Sequence, residues 1–273
     1  MNRQSACSPR AILAWKLRQG FTLLELLVVV GILAVVAGTL VLSLEGTEEQ
    51  AAAGVSRHEL GQLRQAVLRF YQDTGWLPGQ GPFALVGEHP LGQLDPNNPQ
   101  HWPDHLASAS PAQRAAWARH PANWWQLLQN PLVDRSGALI HPLGRWNPAT
   151  RRGWRGPYLS RQGGGPVDVS GTLSPSGDGD PGAGTAADLV PGCLGVADPW
   201  PKPPQGPFFQ WYDPDHSTPR TRWGRPYLLL DVHHTDPLLL RARARIVSLG
   251  PNGRYESNSA AIEGDDLVLY LFR

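Results

Sequence analysis

Cysteine is nearly absent from this chain: its 273 residues include only Cys7 and Cys193. That excludes a disulfide framework as the source of stability. If the N-terminal segment before Phe21 is removed, Cys193 is left without a partner in its own chain, and it reads as a small buried apolar residue. A surplus of either charge is also lacking. The 24 basic and 23 acidic side chains give a net charge of +1, which removes the electrostatic case for nucleic acid as a partner. The sequence has no cysteine–histidine cluster, phosphate-binding glycine loop or serine-nucleophile motif, so it makes no case for an enzyme. His101 and His105 are four residues apart, but Pro103 between them disfavours a helical metal pair. His233 and His234 are adjacent and would face opposite ways on a strand. Asp178 and Asp180 sit in a glycine-rich run and read as loop residues.

What is present begins with the N-terminal segment. Residues 1–20 contain Arg3, Arg10, Lys16 and Arg18 and no acidic residue. From Phe21 to Leu44 follows FTLLELLVVVGILAVVAGTLVLSL, in which Glu25 is the only charge. A helix of this length is expected to cross a hydrocarbon core of about 30 Å. The basic flank would then place the N-terminus in the cytoplasm. A secretory signal would carry a shorter apolar run with no carboxylate. A plain signal anchor gives no reason for Glu25, whose burial in hydrocarbon costs about 2.5–3.5 kcal/mol and calls for a partner.

The run Arg18-Gln19-Gly20-Phe21-Thr22-Leu23-Leu24-Glu25 resembles the signature of type IV prepilins and pseudopilins. The resemblance implies cleavage by a prepilin peptidase between Gly20 and Phe21 and methylation of the new N-terminal Phe21. It also implies an assembly role for Glu25, whose carboxylate would meet the N-terminal amine of a neighbouring subunit. The partners implied are the peptidase, other pilin or pseudopilin subunits and an inner-membrane assembly platform. Leu42 stands where many pilins have a proline, which removes one expected kink.

Beyond the apolar run, Leu60, Leu63, Val67 and Phe70 form one stripe of an amphipathic helix. The helix, about 50 residues long, is expected to end near Asp73-Thr74-Gly75, with Gly75 as terminator and Pro78 just beyond. Gly31 and Gly38 share a face where another helix could approach closely. A second helix is expected from Pro111 to Leu128, capped by Ser110, opened by Pro111 and interrupted by Pro121. Residues 162–184 read as a glycine-rich insertion. Strands are expected over Pro226–Val232, Ala242–Leu249 and Leu267–Phe272. The fold class is α+β: a long N-terminal helix, transmembrane in its first half, packed on a small antiparallel sheet with large loop insertions. The domains are a leader (1–20), a transmembrane helix segment (21–44), its soluble amphipathic continuation (45–74) and a periplasmic globular domain (75–273). The protein would be single-pass in the inner membrane.

The C-terminal order Trp223-Gly224-Arg225-Pro226-Tyr227, Ser248-Leu249-Gly250 and Asp265-Asp266 is similar to the end of the major, G-type pseudopilin of type II secretion. By that resemblance Leu249, Asn252, Asp265 and Asp266 would hold Ca²⁺, with Asn252 in place of the family's aspartate. Oxygen donors of this kind suit calcium, although Asp265 and Asp266 also fit a turn ahead of the last strand. The resemblance implies a structural subunit of an inner-membrane-anchored pseudopilus that drives protein export. Two alternatives stand beside it. One is a minor or tip pilin of a type IV pilus, which would account for the bulky middle. The other is a membrane-anchored binding module whose Trp-rich middle (Trp102, Trp117, Trp124, Trp125, Trp146 and Trp154) forms a recognition surface. The same tryptophans also suit the core of an irregular domain without disulfides.

Overall fold

The computed structural model describes residues 22–159, 165–168, 189–200, 226–251, 255, 257, 262 and 264–273. Helix α1 runs from Leu23 to Thr74. No proline occurs between Pro9 and Pro78, so nothing in this stretch removes a ladder donor or clashes with the preceding turn. The helix stops where the sequence indicates. Gly75 adopts φ +84°, a conformation glycine takes without a Cβ penalty, and its N–H donates to Tyr71 O at 2.8 Å. The Thr74 hydroxyl donates to the Phe70 carbonyl at 2.8 Å.

The expectation of a membrane-spanning first half is corrected. Among the described residues, no helix is long and apolar enough to cross a membrane. The transmembrane assignment of residues 21–44 falls with this finding. So do the single-pass inner-membrane topology and the inner-membrane-anchored filament.

The chain divides into two compact units, residues 1–47 and 48–273. In the first, the α1 side chains from Leu23 to Val36 are exposed, and a Cβ added at Gly31 or Gly38 would meet nothing within 4 Å. The second unit holds the core. Leu60, Leu63, Val67 and Phe70 are each at most 3% exposed, so the stripe read from the sequence is the face that α1 buries. Phe70 makes edge contacts with Phe83 and Tyr158, with ring centroids 4.8 and 5.5 Å away.

Helix α2 (Pro111–Arg119) opens with a capping box. The Ser110 hydroxyl accepts the Gln113 N–H, and the Gln113 side chain accepts the Ser110 N–H. These reciprocal bonds satisfy donors that a helix start otherwise leaves unmatched. A break at Pro121 separates α2 from the short α3 (Trp125–Leu128). Trp102, Trp117, Trp124 and Trp125 are all buried, with Trp117 and Trp125 ring centroids 5.1 Å apart. These four indoles are core, and the expected Trp-rich recognition surface loses them.

Strands β1 (Gly165–Asp168) and β2 (Leu189–Cys193) form an antiparallel pair, and β3 (Leu228–Leu230), β4 (Arg245–Ser248) and β5 (Leu267–Tyr270) form an antiparallel sheet in that order. Leu228 faces Val247, and Ile246 faces Leu269. One element departs from expectation. Helix α4 (Pro237–Arg243) occupies the start of the predicted second strand, capped by the Asp236 carboxylate, which accepts from Leu238 N at 2.8 Å. Arg64 of α1 ties down the chain beyond β5, donating to Leu271 O at 3.0 Å and Arg273 O at 2.9 Å. Cys193 is free and fully buried, and burial pushes its thiol pKa well up, as an inert packing residue requires.

Candidate functional site

Two places carry the residues that sequence reading singles out: the start of α1 and the loop between β4 and β5. At the start of α1, Gly20 and Phe21 lie outside the described residues. Glu25 occupies the third helical position. Its Oε2 accepts from the Thr22 N–H at 2.9 Å and from the Thr22 hydroxyl at 3.1 Å. The Glu25 N–H in turn donates to Thr22 Oγ1 at 3.2 Å. This is a capping box with threonine at the cap, and its signal, Thr-x-x-Glu at 22–25, stands in the sequence. The backbone bond from Thr22, and then its hydroxyl bond, hold the Glu25 carboxyl below its ordinary pKa. Glu25 is therefore an ionised, oriented carboxylate at the helix start, where the positive end of the helix dipole also favours it.

In the β4–β5 loop, Leu249 is fully buried. Gly250 turns with φ +59° and lies so close to Asp265 that an added Cβ would come within 2.3 Å of the Asp265 carbonyl oxygen. The fold thus brings the Leu249-Gly250 turn against Asp265. Asp266 is buried, and its Oδ2 accepts from Ser257 N at 2.7 Å. Asn252 lies outside the described residues. Among the described residues, no three histidine, cysteine or carboxylate side chains form a group that could hold a metal ion. Any calcium at this loop would therefore rest on carbonyl and amide oxygens beside the two aspartates.

Several polar pairings that organise residues 48–273 are not evident from the sequence. Tyr227, at the end of the glycine-x-proline-tyrosine run, donates to Glu59 Oε2 at 2.6 Å and contacts Ser56 Oγ at 3.2 Å. This joins the chain ahead of β3 to α1. Burial, and then the Glu59 bond, raise the Tyr227 pKa, so the hydroxyl remains a donor. Ser248 donates to the buried Asp198 at 2.9 Å. Arg245, fully buried on β4, pairs with Asp231 and donates to the Tyr255 hydroxyl. Asp231 also contacts the His234 ring at 3.1 Å. Apart from the local Asp231–His234 contact, these partners are 10 to 171 residues apart, so no short spacing announces them.

Residues 15–41 match the family described as the prokaryotic N-terminal methylation motif. No curated protein and no solved structure matches the chain. The match covers the predicted cleavage point, Phe21, Glu25 and the apolar run that follows, and it leaves the head uncharacterised by comparison. The N-terminus thus carries a prepilin methylation motif, consistent with the broad family of type IV pilins and prepilins.

Proposed function

We propose that this chain is a pilin-like structural subunit, matured by prepilin peptidase cleavage after Gly20 and methylation of Phe21, and used as a minor or tip pilin of a type IV pilus. The observation that carries this reading is the methylation motif over residues 15–41, which runs directly into a helix whose first turn holds Glu25 ionised and oriented. Such a carboxylate suits an incoming subunit's terminal amine, because opposite charges attract strongly away from water. The head supports a minor position. Its long irregular segments, packed around Trp102, Trp117, Trp124 and Trp125, suit the end of a filament better than a densely repeated shaft.

The inner-membrane-anchored type II secretion pseudopilus that the resemblance implies is not supported, since no helix among the described residues is long and apolar enough to cross a membrane. Sequence kinship to the G-type subunit, and a calcium ion held by Leu249, Asn252, Asp265 and Asp266, remain proposals. Both rest on the C-terminal resemblance, supported by the approach of the Gly250 turn to Asp265. The test is intact mass of the protein isolated from cells with an active prepilin peptidase, measured natively with and without a calcium chelator. Loss of residues 1–20 with gain of one methyl group supports the prepilin reading, and persistence of the full chain overturns it. A chelator-sensitive mass difference of one calcium supports the metal site, and its absence removes that site alone. Recovery in pilus fractions, substoichiometric to a major pilin, is the expected assembly result.

A further inference from the structure

The turn between α2 and α3 contains a buried hydrogen-bond donor with no protein partner. His120 caps the C-terminus of α2 and is 4% exposed. Its Nδ1 accepts the Ala122 N–H at 3.0 Å, so in the neutral ring the proton sits on Nε2. That nitrogen is fully buried and bonds to no protein atom among the described residues, and the same holds for Trp125 Nε1. Both side chains line one cavity of about 30 Å³, together with Pro78, Gly79, Leu229 and Val232. Of the other polar side chains that line it, His233 places Nδ1 3.4 Å from the Gly79 carbonyl, and the remaining three are committed. Asn123 accepts from Leu194 N and donates to Trp117 O. Gln126 accepts from Gly79 N and donates to Phe83 O. Arg119 is paired with Glu88.

The ligand chemistry follows from this arrangement. With the Nδ1 lone pair used by Ala122, Nε2 offers a proton and no lone pair, so it is not a metal ligand. The ring is neutral and the nearby guanidinium has its own carboxylate, so an anion gains little here. What fits is a neutral acceptor small enough for a space that holds roughly one or two water molecules. We infer that this cavity is a built site for an ordered internal water that accepts the His120 Nε2–H. The water's second lone pair suits Trp125 Nε1–H, the other unsatisfied donor of the lining. The Pro121 carbonyl already ties this turn to β3 by accepting from Leu229 N.

The test is nitrogen-15 NMR of the full chain with labelled histidine, combined with near-atomic-resolution density. The expected result is an Nε2-protonated His120 tautomer, a cross-peak from that proton to a long-lived water, and a density peak within hydrogen-bond distance of Nε2. His120→Gln, which keeps an amide donor, should retain the water, and His120→Phe should lose it. An Nδ1-protonated ring, or a cavity without water in a folded wild-type chain, overturns the inference. Should His120→Phe fail to fold, the wild-type tautomer and the His120→Gln density still decide.

Discussion

Acidification should unfold the head through His120, and the size of the effect follows from its burial. Desolvation holds the His120 pKa down to about 3, whereas in the unfolded chain a histidine titrates near 6.5. Between those two values the unfolded state binds one more proton than the native state at this residue. Stability therefore rises with pH across the window. The contribution is fully present above about pH 6.5, is lost as pH falls toward about 3, and levels off below that. Each pH unit inside the window costs up to about 1.4 kcal/mol, and the whole window is worth on the order of 5 kcal/mol. That is a large share of the roughly 5–15 kcal/mol typical of a domain. The assay is urea unfolding followed by tryptophan fluorescence at several values between about pH 7 and pH 4, for wild type and His120→Phe. Burial also lowers the pKa values of His101, His105, His141 and His233; all four are present in both proteins, and repeating the comparison in a His233→Gln background removes the one that lines the same cavity as His120. Wild type should lose stability more steeply than the variant by about 1.4 kcal/mol per pH unit. Parallel slopes would refute the assignment of His120 as a neutral buried base.

The other predictions concern the packing of the head. Phe70→Ala empties a fully buried position between Phe83 and Tyr158 and should cost about 3–5 kcal/mol, read as a fall in the urea midpoint. Tyr227→Phe removes the hydroxyl shared with Glu59 and Ser56 and should cost about 1–3 kcal/mol. A double-mutant cycle with Glu59→Gln should show non-additivity, and simple additivity would mean the bond contributes nothing. Asp231→Asn removes a buried carboxylate that pairs with the buried Arg245 and should cost about 3–5 kcal/mol. Replacing Asp231 and Arg245 together with apolar residues should be milder than either single change, and the reverse order would contradict the desolvation argument.

The parts of this fold that could be read from the sequence are those governed by local rules. The α1 stripe, its end at Gly75 and the Ser110-Pro111 start each follow from helical spacing or a capping preference, and each stands in the structure. Asp236-Pro237 has the same form as Ser110-Pro111, yet composition predicts a strand from Ala242 where the helix Pro237–Arg243 runs. Apolar content masked a short helix there. At the site, the sequence points to Glu25 through its charge inside an apolar run, and the Thr-x-x-Glu pattern at 22–25 is the local signal for its bonds to Thr22. The buried pairs Tyr227–Glu59, Ser248–Asp198 and Arg245–Asp231 depend on tertiary proximity, which no short window contains. The apolar run from Phe21 to Leu44 predicts a membrane span, whereas no helix among the described residues is long and apolar enough to cross a membrane.

The bond from Arg64 to Leu271 spans 207 residues, and it sets a timetable for the nascent chain. The face of α1 carrying Leu60, Leu63, Val67 and Phe70 leaves the ribosome early, but β4 and β5 are made near the end. At about 5–20 residues per second, the stripe waits roughly 10–40 s before its sheet exists. During that interval an apolar helix face is open to aggregation, so efficient production of this chain should depend on a holding chaperone or on the rate of elongation.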